Sequence, residues 1–118
     1  RNKGQDAAIQ SDLSTVRIQA EIYYSNNNNY GSQGFVVTTA TACAGGMFTD
    51  PTIIKAIAAA YAASGSVSGN IACFANSTSY AVGVKLLGVA GNWQCIDSAG
   101  SSVVKSTAFP TTALLNCN

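Results

Sequence analysis

Five carboxylates, six cationic side chains and four cysteines are the residues of this 118-residue chain with obvious chemistry, and histidine is absent. The acids, Asp6, Asp12, Glu21, Asp50 and Asp97, stand singly along the chain rather than in pairs. General acid–base catalysis draws mostly on histidine or on positioned carboxylates, and covalent catalysis on a hydroxyl or thiol beside a base. A serine paired with Lys55, Lys85 or Lys105 is the nucleophile–base combination that the composition leaves open. The sequence points away from an enzyme: it marks no catalytic residue and no cofactor-binding residue, and implies no cofactor.

Cys43, Cys73, Cys95 and Cys117 are spaced 30, 22 and 22 residues apart, with neither a C-x-x-C pair nor a histidine to complete a zinc site. Two disulfides are the better reading, which places the protein in an oxidising compartment: periplasm, cell wall or exterior. Asp97-Ser98 is a weak calcium candidate. Calcium takes about 6–8 oxygens, usually with several carboxylates among them, and Asp97 has no acidic neighbour. No metal site is therefore expected. Asn76-Ser77-Thr78 matches the N-glycosylation triplet, in a chain whose Ser, Thr and Asn content makes chance matches common.

Charged residues are 9 % of the chain, against about 25 % in ordinary soluble domains. Net charge is +1 and no basic cluster exists, so nothing supplies the counterion release on which nucleic-acid binding depends. A surface whose polarity comes from Ser, Thr, Asn and Gln fits a protein that packs against copies of itself.

The length implies one domain, residues 1–118. Ile9, Leu13, Val16, Ala20 and Tyr23/Tyr24 recur at helical period and predict a helix over 1–24, about 36 Å long. A second stripe lies opposite: Ile18 and Ile22, in line with Ala7, Ser11 and Ser14. Two apolar faces suggest two partners, one of them outside the domain, unless a loop of the same domain covers Ile18 and Ile22. Residues 25–70 read as a connection containing Phe35-Val36-Val37 and a short helix over 51–64. Asp50 fits its N-cap, Pro51 its first turn and Gly65 its C-terminal stop. Ile53, Ile54, Ile57 and Tyr61 supply its apolar side.

From 71 to 105 the period changes to two. Ile71–Ala75, Tyr80–Leu86 and Trp93–Asp97 read as strands, with Val103-Val104 as a short fourth, joined by turns as an antiparallel meander. The tail, 106–118, is held by Cys117. First and third strands of a meander lie roughly 9–10 Å apart, too far for a bridge that needs Cα atoms within about 7 Å, which disfavours Cys73–Cys95. Cys43–Cys73 with Cys95–Cys117 closes the shorter loops; Cys43–Cys95 with Cys73–Cys117 is the remaining arrangement. The fold class is α+β: a long helix on a 3–4-stranded antiparallel meander with two disulfides.

This order of elements resembles the head of a type IV pilin, over nearly the whole chain. Arg1 to Ala8 looks like the segment that follows the hydrophobic half of the pilin helix. Ile18-Gln19-Ala20-Glu21-Ile22-Tyr23-Tyr24, with the asparagines and Tyr30-Gly31, is similar to the end of that helix in many pilins and pseudopilins. Trp93-Gln94-Cys95-Ile96-Asp97-Ser98-Ala99-Gly100 is similar to the W-x-C-[VI]-D-S-x-G stretch of one pilin-like group. No signal peptide and no span of about 20 apolar residues is present, so the resemblance implies that an apolar helix half has been removed ahead of Arg1.

The resemblance implies a structural subunit of an extracellular, cell-surface filament. It would be anchored in the inner membrane only through that missing helix before assembly. Its partners would be identical or related pilin subunits, together with the prepilin peptidase and assembly platform that act on the precursor. Ile18 and Ile22 are the candidate filament interface. The alternatives are a secretion-system pseudopilin or minor pilin and, in a different class, a stand-alone secreted adhesin or carbohydrate-binding module.

Overall fold

The computed structural model describes residues 2–118. Arg1, at the start of the helix expected over 1–24, lies outside the described residues. Helix α1 spans Asn2–Asn27 and buries Ile9, Leu13, Val16 and Ala20 completely. It runs past the expected end because the asparagines close the helix rather than break it. Asn28 adopts the left-handed φ of 60° and its N–H donates to Tyr24 O at 2.7 Å, while Asn27 Nδ2 donates to Tyr23 O at 2.9 Å. Asparagine tolerates that conformation better than other non-glycine residues.

Helix α2, Pro51–Ala63, starts and stops on the expected signals. Asp50 Oδ1 accepts from the N–H groups of Thr52 (2.9 Å) and Ile53 (3.2 Å), and Gly65 follows with φ 107°. Its buried face is Ile53, Ala56, Ile57 and Ala60, whereas Ile54 is half exposed and Tyr61 only partly buried. The apolar side is thus rotated from the expected one: small alanines let α2 approach its neighbours closely, and Ile54 turns outward.

Five strands, not three or four, form the sheet: β1 Gln33–Thr38, β2 Ile71–Ala75, β3 Tyr80–Lys85, β4 Trp93–Asp97 and β5 Ser102–Lys105, antiparallel and in sequence order. The additional strand contains Phe35-Val36-Val37, which the sequence had assigned to an irregular connection. It pairs with β2 in the register Val36↔Cys73, Val37↔Ala72 and Thr38↔Ile71, with an irregularity between Gln33 and Val36. No hairpin turn announces this pairing, because α2 and two short 3₁₀ turns (Ala40–Ala42 and Gly46–Thr49) intervene. Those turns are seated by buried Met47 and Phe48 and by Gln33 Oε1, which accepts from the N–H groups of Ala44 (2.9 Å) and Gly45 (2.7 Å).

Both faces of the sheet are covered along β2, β3 and β4, while β5 is largely exposed. On one, Ile71, Cys73, Ala75, Tyr80, Val82, Val84 and Ile96 meet the two helices in a single apolar core. On the other, Ala72, Ala81, Trp93 and Cys95 meet Leu114 and Cys117 of the tail, with Phe109 at the margin. Trp93 lies across Gly83: a Cβ there would come within 2.9 Å of the indole. Its ring meets Phe109 edge-on at 5.4 Å and its Nε1–H donates to Thr107 O at 2.9 Å.

Candidate functional site

The side chains expected to carry function divide into two groups, one tying the fold together and one left outside it. The disulfides pair Cys43 with Cys73 (Cα–Cα 6.1 Å) and Cys95 with Cys117 (5.8 Å), which of the two arrangements left open is the one that closes the shorter loops. The first joins the irregular connection to β2 within the helix-side core; the second joins β4 to the tail.

Asp97, weighed above as a calcium ligand, is almost fully buried and its oxygens are already occupied. Oδ1 accepts from Ala99 N–H (3.0 Å) and Ser101 N–H (3.1 Å), and Oδ2 accepts from Cys117 N–H at 2.8 Å. The carboxylate therefore shapes the β4–β5 turn and pins the tail. A sequence signal for the first part existed, since Asp followed by Ser-Ala-Gly favours a side-chain-capped turn; the bond to Cys117 had none. Among the described residues no group of three or more His, Cys, Asp or Glu side chains could hold a metal ion. Lys85 Nζ lies over the Phe109 ring at 5.3 Å, and Lys105 Nζ donates to Cys117 O at 2.7 Å. Neither has a serine hydroxyl as a hydrogen-bond partner among the described residues.

The outward group lies on α1. Ile18 is 61 % exposed and Ile22 46 % exposed, on the side of the helix opposite the wholly buried stripe. Ala7 and Ser11 are exposed in line with them, and Ser14 is partly buried. The turn at Ser98–Gly100 reaches α1 without covering these isoleucines: Arg17 Nη1–H donates to Gly100 O at 3.1 Å. Together Arg17, Ile18, Glu21, Ile22 and residues 98–100 line a shallow groove of about 690 Å³. Its two charged residues are both engaged, Arg17 with Gly100 and Glu21 with the Tyr30 hydroxyl, which donates at 2.9 Å. Burial, then that hydrogen bond, pushes the Tyr30 phenol above its ordinary pKa. What the groove offers is apolar contact area with a polar margin rather than a reactive group.

No helix among the described residues is long and apolar enough to cross a membrane. No protein-family model matches the chain, and neither does any curated protein or solved structure.

Proposed function

We propose that this chain is the head of a type IV pilin-like subunit and serves as a structural unit of an extracellular filament. The observation that carries the reading is α1 itself. Ile9, Leu13, Val16 and Ala20 are enough to seat the helix on its own sheet, yet Ile18 and Ile22 stand exposed on a further face. Exposed isoleucines on a low-charge surface favour association. In the proposed assembly that face meets helices of neighbouring identical or related subunits. An apolar extension of the helix ahead of residue 1 would hold the precursor in the inner membrane until the prepilin peptidase and assembly platform act on it. The two disulfides suit a subunit that must stay folded outside the cell, each contributing about 2–4 kcal/mol.

Filaments of the source cells test this directly. Deleting the gene is expected to remove a surface filament seen by electron microscopy, and the wild-type gene should restore it while an Ile18→Ser/Ile22→Ser copy should not. Unchanged filaments in the deletion, or protein found only as a free monomer in the medium, would overturn the reading.

A further inference from the structure

We propose that Asn76 is an acceptor for an N-linked glycan. Asn76-Ser77-Thr78 is the one N-x-[ST] triplet among the ten asparagines of the chain, and the structure places it in the exposed turn between β2 and β3. Asn76, Ser77 and Thr78 are all solvent-exposed, so a transferase can reach them in the folded protein. The filament reading plays no part in this inference; it needs only an extracellular or luminal route.

The amide is held with its oxygen engaged and its nitrogen unpartnered among the described residues. Asn76 Oδ1 accepts from Thr78 N–H (3.0 Å) and Ser79 N–H (2.7 Å), and from the hydroxyls of Ser79 (2.9 Å) and Thr78 (3.4 Å). Two of these donors are backbone N–H groups, which only the carbonyl oxygen can face, so the assignment of oxygen and nitrogen is fixed. The nitrogen, Nδ2, is left with no acceptor among the described residues. The residue two positions on contributes its backbone N–H and its hydroxyl to the same oxygen, which gives a structural role to Thr78 in the triplet. The turn is anchored from outside as well, because Ser77 O accepts from Tyr30 N–H at 3.3 Å, and Asn76 N–H donates to Ser79 O at 2.8 Å.

The donor class is a glycan carried on a lipid diphosphate. Nδ2 attacks the anomeric carbon; the new Nδ2–C1 bond replaces the C1–O bond, and the lipid diphosphate leaves with the electron pair. One amide proton passes to a base of the transferase. The side chain stays neutral, and no oxidant or reductant is required.

Mass spectrometry of the chain purified from its source cells tests the assignment. The tryptic peptide Ala56–Lys85, after disulfide reduction, is expected to carry at least one sugar residue. Digestion with a peptide N-glycanase should release it and leave aspartate at 76. Asn76→Asp keeps the Oδ1 acceptor, and with it the turn, but lacks the nucleophilic nitrogen, so it should abolish the added mass. Thr78→Ala leaves Asn76 untouched and should abolish it too. An unmodified peptide in the wild-type protein overturns the proposal. So does a sugar that persists in Asn76→Asp, which would place it on a serine or threonine hydroxyl.

Discussion

Across strands β2, β3 and β4 the two faces of the sheet are both buried, but by different means. On the helix side the cover is mainly the two helices, with the 3₁₀ connection tied in through Cys43–Cys73, and the contacts are bulky and apolar: Ile9, Leu13 and Val16 from α1, Ile53 and Ile57 from α2. On the other side the cover is a tail with neither helix nor strand. Its few apolar contacts, Leu114 and Phe109 around Trp93, are supplemented by directional ties: the Cys95–Cys117 disulfide, the bonds from Cys117 N–H to Asp97 and from Lys105 Nζ to Cys117 O, and the Trp93 indole donating to Thr107. A segment without its own hydrogen-bond ladder must satisfy its backbone elsewhere. One face is thus held mainly by buried volume and the other mainly by specific links, so damage to each should have a different size and a different reach.

The largest effect is expected in the helix layer. Leu13→Ala removes a fully buried side chain from between helix and sheet and should lower stability by about 2–5 kcal/mol. Because the layer is shared by both helices and by strands β2, β3 and β4, chemical denaturation followed by far- and near-ultraviolet circular dichroism should show one shifted transition. A loss below about 1 kcal/mol would mean that the site relaxes into the space, and that α1 is not the main cover.

Removing the tail's covalent tie comes next. The paired change Cys95→Ala/Cys117→Ala should cost about 2–4 kcal/mol. Hydrogen exchange should rise first in residues 106–118 and along β5, with α1 and β2 retaining their protection. Uniform loss of protection would contradict a locally held tail. Asp97→Asn should have a smaller effect at the same place. The amide must turn an NH₂ toward one of three backbone N–H donors, leaving a buried donor unsatisfied for about 1–3 kcal/mol. Limited proteolysis should then cut the tail earlier than in the wild type, and unchanged cleavage would show that the disulfide alone is sufficient.

The difference between the faces also decided what the sequence revealed. The α1 stripe, the Asp50-Pro51 start of α2 and the alternation from Ile71 to Asp97 are local patterns, and each corresponds to an element in the structure. Strand order, set by short turns, disfavoured only Cys73–Cys95; of the two arrangements left, the observed one is that with the shorter loops. Strand β1 was hidden because its partner lies beyond a helix, so no turn chemistry links the two. The tail's packing was legible only at Cys117: bonds from Cys117 N–H to Asp97 and from Trp93 to Thr107 depend on long-range placement. The 100° turn per residue placed Ile18 and Ile22 on a face away from the core stripe, but whether a loop of the domain covers them was settled only by the structure.

Tyr80 offers a smaller test within the helix-side core. Its hydroxyl is buried with no partner among the described residues, and its ring packs edge-on against Tyr30 at 5.1 Å. Tyr80→Phe should leave stability unchanged or raise it, by about 1 kcal/mol at most. Burial, aided by nearby Glu21, pushes the Tyr80 phenol above its ordinary value of 10.0. With the folded pKa raised, its contribution is fully present below about pH 10 and is lost as pH rises further and the unfolded chain ionises. Melting temperatures from neutral to alkaline pH should therefore fall less steeply in Tyr80→Phe than in the wild type. Identical slopes would assign the alkaline loss to Tyr30 and other groups.

The smallest expected effect on the isolated domain is at the face that no layer covers. Ile18 and Ile22 keep much of their surface in water, so Ile18→Ser/Ile22→Ser gives up little buried area and should cost about 1 kcal/mol or less. The same pair is expected to have the largest effect on assembly, because burying an isoleucine that starts exposed yields up to about 1.5–3 kcal/mol. Thermal melting of the isolated domain and filament yield in cells should therefore move independently, the first by a few degrees and the second strongly. The contrast with Leu13, on the same helix but facing inward, makes the pair informative. Leu13→Ala should weaken both readouts together, since an unstable head cannot assemble. If the double serine variant also unfolds the head, α1 has no free face, and Ile18 and Ile22 belong to the domain's own core. If melting and filament yield are both unchanged, the face is exposed but unused, and the proposed assembly does not run through it.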